Sequence, residues 1–301
     1  MKSPSGKGVK ELRKFLLGLA AGVFLTFSAV PSAAWAQENQ NQRETGWHYD
    51  EDREKWYYYT EEGNLQTGWF QDSSGSWYWF NSRGEMVCGG YQVIDGQRYY
   101  FLENGQMAAG QYAGLSYMNL SGQPDSSRDM TVEGRGNAKA VNAETRKEIT
   151  KALQDIPREW ILHFLNHGWE FVYYPDKEYF SAPQSDGETY YVRYKLDDSC
   201  RKIKFCDPEA LTQAFGEYIG YASGCYEPDS QFMEDLLKDS QSWKETADIP
   251  EYFVNDAQFT LGRLISLYLT DPEARETFDT KSLAGQMIRT LLQCQPGTLV
   301  P

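Results

Sequence analysis

The stretch Thr67-Gly68-Trp69-Phe70-Gln71, followed by Trp77-Tyr78-Trp79-Phe80 and then Gly84-Glu85-Met86, decides how the first third of the chain folds. Two short aromatic runs are separated by a polar, Gly-containing segment, and a second glycine closes the unit, which is the signature of a tight β-hairpin. The unit recurs. Thr45-Gly46-Trp47 leads to Trp56-Tyr57-Tyr58-Tyr59 and Gly63, and Gly89-Gly90-Tyr91 leads to Tyr99-Tyr100-Phe101 and Gly105, with Gly46, Gly68 and Gly90 evenly spaced. Hairpins this short cannot bury an apolar face alone, so a regular period of them implies stacking into a solenoid. A weaker fourth unit runs through Tyr112, Tyr117 and Gly122.

Working outward, residues 1–36 read as a secretory signal. Lys2, Lys7, Lys10, Arg13 and Lys14 precede an apolar run from Phe15 to Val30, and Ala34-Trp35-Ala36 forms a small-x-small cleavage site. The apolar run is shorter than a membrane-spanning helix requires, and Pro31 follows it. The expected mature chain begins at Gln37, with a short segment over 37–44 before the repeats of 45–119. No later stretch is apolar enough to span a bilayer, so surface attachment would come from a binding module.

The formal net charge is −14 over 301 residues, and loss of the basic leader makes the exported chain more acidic still. Nucleic acid is therefore excluded as a partner, because phosphate binding draws on basic patches. Aromatic residues make up 15% of the chain, more than an ordinary core uses, which points to a binding surface. Cys88, Cys200, Cys206, Cys225 and Cys294 show no CxxC spacing, and their odd number leaves at least one unpaired. Cys200 and Cys206 flank a turn and are the candidate bridge, with buried free thiols as the alternative.

Residues 120–142 turn to Ser, Gly, Asp and Asn without periodicity and read as a linker. A second domain is expected over 143–301. Thr145-x-x-Glu148 signals a helix start, Ile156-Pro157 opens another helix, and strands are expected at Glu170-Tyr174, Thr189-Tyr194 and Lys202-Phe205. Helices follow after Asp207-Pro208, around Gln231-Leu237, over Tyr252-Leu269 and over Ser282-Leu292, giving an α+β domain with its own core.

The repeat unit, with its Gly-Trp, Trp-Tyr-aromatic and Gly-x-Met elements, resembles the cell-wall-binding repeats of choline-binding surface proteins. That resemblance implies ligand cages between neighbouring hairpins: Trp47, Trp56 and Trp79 for the first, Trp69, Trp77 and Tyr100 for the second. A quaternary ammonium donates no hydrogen bonds and is held by the faces of electron-rich rings. Stacking on sugar rings is the alternative use of such aromatics, and formation of the solenoid core is a third. In the third unit Tyr91 and Arg98 replace the tryptophan and first aromatic, which makes a further cage doubtful.

Within 143–301, Leu211-Thr-Gln-Ala-Phe-Gly-Glu-Tyr-Ile-Gly220 resembles the zinc helix of the anthrax lethal factor-like metallopeptidases, whose pattern is His-Glu-Phe-Gly-His. Asn255-Asp-Ala-Gln-Phe259 is similar to the segment carrying the third ligand, and Tyr268-Leu-Thr-Asp-Pro-Glu-Ala-Arg275 continues the likeness. The resemblance implies a zincin-like domain in which Gln213 and Glu217 stand at the histidine positions, Ala214 at the general base and Gln258 at the third ligand. Amides are poor zinc ligands and alanine transfers no proton, so the implied domain is a pseudo-metallopeptidase without metal or cofactor. His163 and His167 also stand at i, i+4, but Phe164 follows the first, so this pair lacks a neighbouring general base.

The expectation is thus an α+β protein in which a β-hairpin solenoid precedes a lethal factor-like domain. It would be secreted and cell-wall associated, binding choline, teichoic acid or glycan through its repeats and an unidentified protein or peptide through its second domain. The alternative is an active secreted peptidase or toxin-related protein with an altered metal set such as Glu217 plus His163 or His167.

Overall fold

The computed structural model describes residues 45–134, 141–183, 189–247, 249 and 256–297. The expected signal segment 1–36 and the segment 37–44 lie outside the described residues, as does Asn255. The chain divides into two units, the first ending at Ala108 and the second running from Ala109.

Among the described residues, three antiparallel hairpins make the first unit. β1 (Gly46–Asp50) pairs with β2 (Lys55–Tyr59), β3 (Gly68–Gln71) with β4 (Trp77–Phe80), and β5 (Gly90–Ile94) with β6 (Gln97–Phe101). Each hairpin is a separate two-stranded sheet, so the ladder bonds alone cannot join them. The returning tails do: Met86 N–H donates to the Trp56 carbonyl at 2.8 Å, and Met107 N–H to the Trp77 carbonyl at 2.7 Å. Gly84, with φ +74°, closes one of these turns, and a Cβ there would lie 2.5 Å from Leu65. Both its conformation and the close approach require glycine. Between the hairpins lies a small aromatic core of Trp56, Tyr78, Phe80 and Met86, with Trp47, Tyr49, Tyr58 and Phe70 around it.

The fourth hairpin departs from the expected array. β7 (Gln111–Ala113) and β8 (Ser116–Met118) belong to the second unit, where Tyr112, Leu115 and Tyr117 are buried in the main core. Gly114 N–H donates to Thr150 Oγ1 at 2.6 Å on the neighbouring helix. The expected linker is also partly built into this unit: Ser126–Arg128 forms a 3-10 turn, and β9 (Thr131–Val132) pairs in parallel with β10 (Glu170–Tyr173). Its Ser, Gly and Asp residues serve as turn and cap formers rather than as a spacer, with Asp125 accepting from Ser127 N–H.

The sheet of the second unit runs β13-β14-β10-β9, with β13 (Tyr194–Asp197) antiparallel and β10 parallel to β14 (Lys202–Phe205). β11 (Phe180–Pro183) and β12 (Thr189–Val192) form a separate ribbon. The first helices are α1 (Ala143–Gln154) and α2 (Arg158–Asn166), and the N-cap of α1 is Asn142, whose Oδ1 accepts from Thr145 N–H at 2.8 Å. Then come α3 (Leu211–Ala222), α4 (Gln231–Lys238), α5 (Ser240–Ala247), α6 (Ala257–Thr270), α7 (Pro272–Lys281) and α8 (Leu283–Gln293). Helices α5 and α7 were not expected from the sequence. The chain is mixed α+β, and among the described residues no helix is long and apolar enough to cross a membrane.

All five cysteines carry free thiols. The expected Cys200–Cys206 bridge is not formed: Cys200 Sγ faces the Asp197 carbonyl at 3.9 Å and Cys206 Sγ the Arg193 carbonyl at 3.2 Å.

Candidate functional site

Strand alternation sets the faces of each hairpin. In β4, Trp77 and Trp79 point one way and Tyr78 and Phe80 the other, because successive side chains of a strand alternate. Trp69 lies opposite Trp79 in the ladder, so those two share a face with Trp77. The other face, carrying Tyr78, meets the preceding hairpin.

The result is two aromatic corners of the same design. In the first, Trp47 stands edge-on to Trp56 at 6.4 Å and to Tyr78 at 4.9 Å. In the second, Trp69 stands edge-on to Trp77 at 6.0 Å and to Tyr99 at 4.9 Å. The tryptophan pairs expected from the sequence are therefore brought together, Trp47 with Trp56 and Trp69 with Trp77. The third ring differs by one position in each case. Tyr78 takes the place expected for Trp79, whose ring meets Trp69 instead at 5.2 Å, and Tyr99 takes the place expected for Tyr100, whose ring meets Tyr91 at 4.9 Å. Strand alternation, read with the Trp69–Trp79 and Tyr91–Tyr100 registers of the folded chain, identifies Tyr78 and Tyr99.

The two corners differ in access. Trp56 is 7% and Tyr78 1% exposed, and Tyr49 packs on Trp56 at 5.0 Å, so the first corner is closed by the protein's own rings. The Trp56 indole N–H is itself buried with no hydrogen-bond partner among the described residues. Trp77 is 39% exposed, and the second corner presents ring faces to solvent. The Tyr78 hydroxyl donates to Asp72 Oδ2 at 3.1 Å and accepts from Gln106 Nε2 at 3.3 Å, and burial pushes its pKa up to about 12.

In the second unit, α3 and α6 cross through facing glycines: a Cβ on Gly216 would lie 2.8 Å from the Gly262 carbonyl oxygen. Gln213 and Glu217 sit one turn apart at this crossing, where a Cβ on Gly262 would meet the Gln213 carbonyl and the Glu217 side chain. Glu217 is buried, its carboxyl accepts from the Tyr194 hydroxyl, and its backbone carbonyl accepts from the Tyr226 hydroxyl at 3.2 Å. Burial pushes the Glu217 carboxyl up to about 8, with the Asp256 charge acting in the same direction, so it is neutral at pH 7. The Gln213 side-chain N–H is buried without a partner among the described residues. Ala214 is fully buried in the core, and Gln258 is exposed at the start of α6 on a cavity of about 760 Å³ shared with Tyr226, Met233 and Asp256. Of the four positions singled out in the sequence, Gln213 and Glu217 lie together, Ala214 is turned into the core, and Gln258 lies at the rim of a cavity.

His163 and His167 stack at 3.9 Å, but each is engaged. His163 Nδ1 lies 2.7 Å from the Tyr218 hydroxyl, and His167 Nδ1 lies 2.8 Å from the His163 carbonyl. Burial, with the nearby His167, lowers the His163 pKa. Among the described residues no group of three His, Cys, Asp or Glu is placed to hold a metal ion.

The geometry of the first unit defines a module of stacked hairpins with aromatic corners. Residues 67–86 and 90–107, which include the second and third hairpins, match the choline-binding family model described as putative cell wall binding repeat. Among solved structures, CbpJ from Streptococcus pneumoniae TIGR4 is 32% identical over 27% of this chain and 27% of its own, with a TM-score of 0.25. Choline binding protein F from Streptococcus pneumoniae, solved in the presence of a peptidoglycan analogue, is 32% identical over 27% of this chain and 26% of its own, with a TM-score of 0.25. The choline binding domain of Spr1274 in Streptococcus pneumoniae is 31% identical over 28% of this chain and 98% of its own, with a TM-score of 0.26. The chain spans little more than a quarter of the length of CbpJ and choline binding protein F. No curated protein matches the chain.

Proposed function

We propose that this is a secreted, cell-wall-associated protein whose repeats hold a wall polymer by a quaternary ammonium group such as choline. The open corner of Trp69, Trp77 and Tyr99 carries the reading. Its rings stand nearly perpendicular, at 89° and 75°, and so offer a concave set of faces and edges to one rounded cation. Such a cation is attracted by the ring quadrupoles and has no hydrogen bonds to lose on leaving water. The match of residues 67–86 and 90–107 to the choline-binding repeat model supports the same ligand class. Retention on a choline-derivatised resin tests it. Wild-type protein should be held and released by free choline, whereas Trp77→Ala should wash through. Equal retention of a folded Trp77→Ala would overturn the assignment.

For the second unit we propose a catalytically degenerate, lethal factor-like metallopeptidase domain that serves as a binding unit for a protein or peptide. In support, α3, which carries the first segment of the likeness, packs through Gly216 on Gly262 of α6, and Glu217 Oε1 already accepts from the Tyr194 hydroxyl. In the rival metal set of Glu217 with His163 or His167, Glu217 Oε1 and His163 Nδ1 already hold hydrogen bonds to the Tyr194 and Tyr218 hydroxyls.

A further inference from the structure

The third hairpin keeps the layout of its neighbours with different chemistry. Tyr91 stands where Trp47 and Trp69 stand, and Arg98 where Trp56 and Trp77 stand. The register pairs Tyr91 with Tyr100 and Val93 with Arg98, which puts all four side chains on one face of the hairpin. There the Arg98 guanidinium lies 3.7 Å above the Tyr91 ring centroid, while Tyr100 stands edge-on to Tyr91 at 4.9 Å and 80°.

A guanidinium is planar and weakly hydrated and stacks on aromatic faces, so it uses the same ring surface that a quaternary ammonium would use. Both cannot occupy that face. A cation tethered on the adjacent strand also acts at an effective concentration of about millimolar or more, which a free ligand must exceed to displace it. We propose that the third hairpin carries a cation site already filled by the chain's own Arg98, and that removing the guanidinium opens it to quaternary ammonium ligands. The proposal rests on the reading of the Trp69 corner as a cation site. It assigns Arg98 the role of an internal ligand that leaves the repeats with one open corner.

The test is a titration of the full chain with tetramethylammonium chloride, followed by NMR at the ring signals of Trp69, Trp77 and Tyr91. In wild-type protein the tryptophan signals should shift and Tyr91 should not. In Arg98→Gln, Tyr91 should also shift, saturating at about five- to twentyfold higher ligand than the tryptophans because this corner lacks an indole wall. Arg98→Lys keeps a tethered cation and should leave Tyr91 unresponsive. Arg98 is exposed, so these variants should fold, and Tyr91 in Trp77→Ala/Arg98→Gln gives a second readout. A Tyr91 that stays unresponsive in a folded Arg98→Gln while the tryptophans respond overturns the inference. Silent tryptophans with a responsive Tyr91 in Arg98→Gln would instead overturn the Trp69 reading and leave this one standing. Silence at all three rings would overturn both.

Discussion

Tyr99 and Tyr100 are neighbours in β6 and point to opposite faces of it, Tyr99 toward Trp69 and Tyr100 toward Tyr91. The next unit contributes whichever ring alternation turns toward the preceding hairpin. Tyr99→Ala should therefore weaken choline binding about five- to thirtyfold, equivalent to about 1–2 kcal/mol, whereas Tyr100→Ala should leave the affinity within about twofold. Fluorescence titration of the tryptophans with choline checks both variants. The opposite ranking would restore Tyr100 as the wall. At this scale the glycine period and the aromatic runs were legible because each hairpin repeats the same local chemistry. Which of two adjacent aromatics faces the ligand was not, since that depends on the cross-strand register, and the Trp69–Trp79 pairing fixes it only in the folded chain.

At the scale of elements, the crossing of α3 and α6 buries an ionisable group at a place where the backbones come close. The folded pKa of Glu217 is raised from its ordinary value of 4.5 to about 8, so its contribution to stability is fully present below about 4.5 and is lost as pH rises through about 8. Urea midpoints of the full chain should fall between pH 5 and pH 8.5, in contrast to the acid loss usual for paired carboxylates. Glu217→Gln, which keeps a neutral group able to accept from Tyr194, should flatten that profile. An unchanged slope in Glu217→Gln would mean that other groups carry the pH dependence. The helices that the sequence located are the ones with clear caps or long apolar faces, such as α6 and α8. The short α5 and the mostly polar α7 lack a long apolar face, although Asp271 and Pro272 form a clear start signal for α7. The fourth hairpin forms as expected, with Tyr112 opposite Tyr117, but it belongs to the second unit. Its aromatic pattern continues the repeat, but Tyr112 and Tyr117 are drawn into a larger core beside Phe171 and α1, and tertiary burial prevails over local periodicity.

Taken as a whole, the molecule joins a repeat unit with a solvent-facing aromatic corner to an α+β unit with a continuous core. If the second unit holds no structural metal, thermal unfolding of the full chain should be the same with and without a chelator, because a bound metal would add its binding free energy to stability. A fall of several degrees on adding chelator would revive a metal-dependent reading of that unit. The repeats are the part whose function follows most closely from the arrangement of their side chains. Two corners share one design, one is sealed by Tyr49, Trp56 and Tyr78, and the other is open at Trp77. The most direct test is calorimetric titration of the full chain with choline. The account predicts saturable binding to one open site in wild-type protein and loss of that binding in a folded Trp69→Ala; the absence of saturable binding in wild-type protein, or undiminished binding in Trp69→Ala, would contradict it.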